Sequence, residues 1–226
     1  MTERPWGPDV SHYQGNVDWR KVKASGASFA FVKATEGETG VDSALAHNWP
    51  AIYKAGILVR GAYHYAHIEG DPKLQAAHFV KTLNSVGHVG RGDFLILDAE
   101  DVCSKSQKIG KAATSAWVMT WLNEVVRLTG FPRKRVLVYT GSWWWGPRTG
   151  NYEGPERAGH PLWLSAYIPE GKLDYSPWRI WRFWQFSSKA HVAGVEGNCD
   201  KSVFNGSARG LWWLSGRPLR LFGKKA

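Results

Sequence analysis

The sequence predicts an α/β fold, a single-domain barrel of eight mostly parallel strands with fewer than eight helices. Two observations carry this. Short apolar runs that end in polar residues alternate with segments of helical spacing along nearly the whole chain, the order that builds parallel βα units. The 226 residues are enough for one large core and too few for two full domains, and neither a linker nor an internal repeat divides them. At 43 % hydrophobic and 21 % charged, the composition is that of an ordinary globular protein. No apolar run approaches the roughly 20 residues of a membrane span, so none is expected.

The elements follow in order. Residues 7–15 begin as a short strand and break into a polar loop. Asp18 is placed to N-cap a helix that closes near Gly26. Residues 28–37 form a buried strand with a polar end, and 42–55 a helix stopped at Gly56, with Pro50 as an irregularity. A third strand spans 57–65 and a helix 71–86. The fourth strand is Phe94-Leu95-Ile96-Leu97 running out into Asp98-Ala99-Glu100-Asp101. A long helix over 112–129 is closed by Gly130, and 135–141 is the fifth strand, with Trp143, Trp144 and Trp145 in its exit loop. Residues 161–167 and 179–186 are the sixth and seventh strands, the latter strictly alternating and so less completely buried. The eighth lies near 195–204 and holds Asp200, which leaves the second half short of helices.

The fourth strand has the most pointed chemistry. Side chains alternate faces along a strand, so Asp98 and Glu100 point the same way, roughly 6.5–7 Å apart. Burial and mutual repulsion at that spot keep one acid protonated and one ionised near neutrality, which is the equipment of a glycosidase. A solvated strand end with no catalytic role is the competing reading of a D-x-E taken alone. In a parallel barrel, functional groups gather at the C-terminal ends of the strands. The strand ends supply Asp9, Glu36, His64, Tyr65, Asp98, Glu100, Tyr139, Tyr167, Gln185 and Asp200. Acids on the floor of a cleft and aromatic rings on its walls suit a sugar polymer, since flat rings stack on pyranose faces.

Seven segments then resemble glycoside hydrolase family 25, the Chalaropsis-type lysozymes, over nearly the whole chain. They are Asp9-Val10-Ser11-His12-Tyr13-Gln14-Gly15, Phe31-Val32-Lys33-Ala34-Thr35-Glu36-Gly37, Gly61-Ala62-Tyr63-His64-Tyr65, Leu97-Asp98-Ala99-Glu100, Leu162-Trp163-Leu164-Ser165-Ala166-Tyr167, Trp184-Gln185-Phe186 and Asp200-Lys201-Ser202-Val203-Phe204. The resemblance implies an N-acetylmuramidase that cuts the β-1,4 bond between N-acetylmuramic acid and N-acetylglucosamine in peptidoglycan, without a cofactor. It implies Glu100 as general acid, Asp98 as its carboxylate partner, and Asp9 and Asp200 as the remaining active-site acids. Glu36, Tyr65, Tyr139, Trp163, Tyr167 and Gln185 are the candidate substrate-binding residues. It favours the substrate's own 2-acetamido group as nucleophile, with retention; inversion through a water held by Asp9 or Asp200 stays open. A wall-binding protein that no longer cuts and a chitinase-like hydrolase of N-acetylglucosamine polymers are the alternatives. The catalytic barrel is expected over 1–210, with 211–226 as a basic, aromatic C-terminal tail.

Charge and the remaining residues bound the partners. Lys plus Arg exceed Asp plus Glu, 29 against 19, for a net +10, and fourteen tryptophans accompany them. Base and aromatic together suit an anionic sugar wall as well as nucleic acid, and no nucleic-acid module is present, so anionic wall polymers are expected partners and nucleic acid is not. A monomer is expected. His12 and His64 lack the spacing of a ligand pair, and no metal is expected; hydrogen bonds to cleft acids or substrate are. Glu36 is either a substrate contact or a partner of Lys33. Cys103 and Cys199 are a candidate disulfide across the cleft rim or two free thiols. The first eight residues lack the apolar core of a signal peptide. The expected location is extracellular or at the cell wall, as a secreted enzyme or a phage lysin.

Overall fold

The computed structural model describes residues 4–57, 59–90 and 92–216. Its elements are β1 (Trp6–Val10), α1 (Trp19–Ala24), β2 (Phe29–Glu36), β3 (Gly40–Val41), α2 (Leu45–Lys54), β4 (Val59–Tyr65), α3 (Pro72–Val86), β5 (Phe94–Asp98), α4 (Lys111–Thr129), β6 (Val136–Thr140), α5 (Ser142–Thr149), α6 (Gly154–Ala158), β7 (Leu162–Ser165), β8 (Trp181–Ala190), β9 (Cys199–Phe204) and α7 (Ala208–Leu214). Eight strands close a barrel in the order β1-β9-β8-β7-β6-β5-β4-β2, with β1 returning to pair with β2. β3 is a stub folded back on β2 outside the ring. The helix starts follow their sequence signals: Asp18 accepts from the N–H groups of Arg20 and Lys21, and Asp71 from those of Lys73 and Leu74.

The strands of the barrel are parallel except at β9, which is antiparallel to both β8 and β1. Residues 191–198 join β8 to β9 without a helix, and that is too short for a parallel crossover. Asp200 therefore sits at the start of its strand and not at the exit the sequence suggests. Because the strand is reversed, its start lies at the rim where the other strands end. A second difference is the stretch after β6. Trp143, Trp144 and Trp145 belong to a helix, α5, and not to a loop; Gly141 opens it in extended backbone and Gly150 closes it in the left-handed region at φ 69°.

Strand alternation splits the core into two layers. Inside the barrel, Phe29, Phe31, Phe94, Ile96, Leu137, Trp163, Phe183 and Phe204 pack on one another. Outside, Val32, Leu95, Leu97, Val138 and Leu164 meet Trp49, Phe79, Trp121 and Leu122 of the surrounding helices. Gly61 makes the inner layer possible: a Cβ there would stand 2.7 Å from Phe31 Cδ1 and 2.9 Å from Ile96 Cδ1. The foot of the barrel is stoppered by α7, whose Leu211 is wholly buried against the inner layer. Arg135 fastens it by donating to the carbonyls of Gly92 and Leu214. The basic cluster from Arg217 to Lys225 lies outside the described residues.

Candidate active site

Inward parity delivers the acids. Asp98 shares the inner face of β5 with Phe94 and Ile96 and is buried at the strand's end. The ladder runs one step further, with Ala99 N–H donating to Tyr139 O at 2.9 Å and the Thr140 hydroxyl to Ala99 O at 2.8 Å, so the backbone leading to Glu100 is pinned to β6. Glu100 itself lies just beyond the strand, not within it. Asp9 and Asp200 face each other directly as register partners of β1 and β9. Like charges opposite one another on a sheet repel.

Four acids in one small mouth cannot all ionise. Burial, then the charge of Asp200, raises Asp9 well above the carboxylate range, and burial, then Glu100, does the same to Asp98. Burial and the charge of Asp200 push Glu100 up to about 7, against the pull of the Lys33 cation. Asp200 is pushed to about 6 by burial, with a hydrogen bond to Asp9 acting the other way. Glu100 and Asp200 thus keep their protons to about 7 and about 6. Asp98 Oδ1 and Asp9 Oδ2 are buried without a hydrogen-bond partner among the described residues, and such acceptors are costly unless something docks on them.

A polar rack holds the acids. Gln185 donates from Nε2 to Asp9 Oδ1 at 2.8 Å, while its Oε1 accepts the hydroxyls of Tyr139 at 2.8 Å and Tyr167 at 2.7 Å. On the opposite wall Lys33 Nζ pairs with Glu36 Oε2 at 2.6 Å and lies over the Tyr65 ring. His67 Nε2 holds the other Glu36 oxygen at 2.9 Å. Glu36 is therefore tied to Lys33 and His67. Sequence reasoning missed His67, although it stands two residues past β4, the kind of strand exit that supplied the other candidates. Tyr63 was missed as a site residue too: it is partly buried on the inner face, and its raised pKa reflects desolvation and then the charge of Asp9.

Other candidates are placed elsewhere. Trp163 is 2 % exposed and packs under the cleft against Phe31 and Tyr139, its indole N–H donating to Ser202. His64 points outward, between Thr35 and Gln75, and stacks on Trp121; burial takes its pKa to about 3. It touches no cleft acid because its parity is that of the outer layer. His12 pairs with Asp42 through both its backbone N–H and Nδ1. Of the tryptophan triplet only Trp143 is exposed, at 53 %, while Trp144 and Trp145 are core. Cys103 and Cys199 are free thiols. Glu69, Asp101 and Cys103 bring ligand-type atoms within 4.8 Å of one another. Asp101 is already engaged there by the N–H groups of Ile68 and Cys103 and by the Ser106 hydroxyl, which makes the trio a clasp for the loop after Glu100.

Comparison with known proteins agrees with this geometry. The family model described as glycosyl hydrolases family 25 matches residues 8–195. Lysozyme M1 of Streptomyces globisporus is 35 % identical over 217 residues, covering 92 % of this chain and 70 % of that protein. The N,O-diacetylmuramidase of Chalaropsis sp is 31 % identical over 152 residues, 64 % of this chain and 70 % of that one. The crystal structure of the bacterial lysozyme from Streptomyces coelicolor superposes with a TM-score of 0.83 at 31 % identity, over 95 % of this chain and 98 % of that chain.

Proposed function

The chain belongs to glycosyl hydrolases family 25 and is a peptidoglycan-degrading glycosidase of the lysozyme, or N-acetylmuramidase, kind, and from that premise we propose how its own residues cut the bond. Glu100 is the general acid for the β-1,4 bond between N-acetylmuramic acid and N-acetylglucosamine, and Asp98 is the partner of the substrate's acetamido group. The observation that carries this reading is a buried Asp98, whose Oδ1 has no hydrogen-bond partner among the described residues, beside Glu100, which burial and the charge of Asp200 push up to about 7.

Glu100 gives its proton to the glycosidic oxygen as the C1–O bond breaks, and the acetamido oxygen closes on C1 to form an oxazolinium ion. Asp98 Oδ1 accepts the acetamido N–H. Burial and the charge of Glu100 raise Asp98 in the free enzyme; the positive charge that develops on the sugar favours its anion. The interaction is thus stronger in the transition state than in the ground state, as catalysis requires. Glu100, now a carboxylate, takes a proton from the water that opens the oxazolinium ion at C1, and configuration is retained. Asp9, held by Gln185 and facing Asp200 across β1 and β9, lines the far side of the mouth.

The place of action is the cell wall, reached as a secreted enzyme or a phage lysin. Digestion of purified peptidoglycan with analysis of the new reducing ends tests the reading. Muramic acid at those ends is the expected result. Glucosamine there would make the enzyme chitinase-like, and an absence of product from a folded, wall-binding chain would leave a binder.

A further inference from the structure

Trp143, the exposed member of the tryptophan triplet, occupies a place set by the strand before it. Gly141 follows β6 in extended backbone, at φ −120° and ψ 158°, so the alternation of the strand runs on through it. Leu137 and Tyr139 point into the barrel, and position 141 shares their parity. A Cβ at Gly141 would stand 2.3 Å from Trp143 Nε1 and 2.4 Å from Trp143 Cδ1. The indole therefore fills the inward place that Gly141 leaves empty, one pleat above Tyr139 on the wall of the mouth. Its pyrrole edge rests there, and the residue as a whole is 53 % exposed.

Glu100 is the neighbour of this ring across the seam between β5 and β6. The two strands pair Asp98 with Tyr139, so two residues further on Glu100 comes level with Gly141. Ala99, between Asp98 and Glu100, is bonded to β6 through both its N–H and its carbonyl. The pKa of Tyr139 is raised by burial and next by the charge of Glu100, which agrees with an acid lying against this wall. Trp144 ties the start of α5 to the same stretch, its indole N–H donating to Asp101 O at 2.9 Å. On the other flank Tyr167, also half-exposed, reaches Gln185 with its hydroxyl.

A general acid stands at the oxygen that departs with the leaving sugar, so an aromatic face beside the acid meets that sugar. Asp98, one pleat deeper and paired with Tyr65 of β4, serves the sugar whose C1–O bond breaks. We propose that Trp143 is the stacking platform for the N-acetylglucosamine on the leaving-group side of the scissile bond, seated there because residue 141 has no side chain. The proposal rests on the reading of Glu100 as general acid. It makes Trp143 a specificity-determining residue: it rewards a leaving group that is a pyranose, whose apolar face covers the ring, and gives nothing to one that is not.

The test gives the full chain two soluble substrates with the same glycone disaccharide, N-acetylglucosamine linked to N-acetylmuramic acid. One is the alternating tetrasaccharide, whose leaving group begins with N-acetylglucosamine. The other is the β-fluoride of the disaccharide, whose leaving group has no ring to stack. In Trp143→Ala the ratio of kcat/KM on the tetrasaccharide to kcat/KM on the fluoride should fall about tenfold or more from that of wild type. Trp143→Phe keeps a flat face and should restore the ratio to within about threefold. An unchanged ratio in Trp143→Ala, or a ratio in Trp143→Phe as low as in Trp143→Ala, would overturn the platform while leaving the muramidase reading intact. Wild type that cleaves neither substrate would overturn that reading, and the platform with it.

Discussion

A carboxyl group in water gives up its proton well below neutrality, and Glu100 keeps its own to about pH 7 because burial and the charge of Asp200 both disfavour its anion. Glu100→Gln keeps the shape and removes that proton, so turnover should fall by about 10²–10⁴ while wall binding persists, as steady-state rates and co-sedimentation would show. Wild-type-like turnover in the folded variant would sink the assignment. Asp98→Asn is expected to be comparably severe. With Glu100 as acid, turnover of wild type should decline as pH rises through about 7. The same shift has a stability consequence. A folded pKa raised above the unfolded one contributes stability that is full below the unfolded value and lost as pH rises through the folded value. Glu100→Gln should therefore melt higher than wild type near pH 8, with the advantage vanishing near pH 4. A constant difference across that range would mean that Glu100 is not raised in the folded chain. The D-x-E pair could be read from sequence because alternation along a strand is a local rule. The ties of Glu36 to His67 and of Gln185 to Asp9 could not, since each joins residues 31 and 176 positions apart in sequence, respectively.

Elements with strong periodicity or caps were legible: β5, α3 and α4 lie within a few residues of where apolar runs, Asp71 and Gly130 put them. What escaped was direction and register. Nothing in 195–204 states that the strand runs backwards; only the short, helix-free connection from β8 carries that information. α5 escaped because a Gly-flanked tryptophan run is equally readable as a loop, and its helix is settled by burial of Trp144 and Trp145. Trp163, a candidate substrate contact from the segment that resembles the family, shares the inner layer with Phe31 and Tyr139 and packs against both. Gly61 shows how strictly that layer is filled. Gly61→Ala should cost about 1–3 kcal/mol through overpacking against Phe31 and Ile96, measured by denaturant unfolding. A neutral Gly61→Ala would show that the inner aromatic layer has slack.

At the scale of the whole molecule a net charge of +10 coexists with a mouth built from acids. The two do not cancel, because they act over different distances. The mouth is desolvated, and its carboxyls work on bonds within contact range, where salt screens little. The bases are spread over the outer surface and the foot, and their attraction to an anionic wall acts across water, where screening is governed by a Debye length of about 10 Å at 0.1 M and about 3 Å at 1 M salt. Lysis of intact walls should therefore fall steeply as salt is raised over that range. Hydrolysis of a short neutral glycan fragment by the same enzyme should barely change. Turbidity loss of walls and product release from the fragment, measured in parallel salt series, separate approach from chemistry. If both fall together, salt acts on the mouth itself and the net charge is incidental; if neither falls, the wall is held by contact and stacking alone.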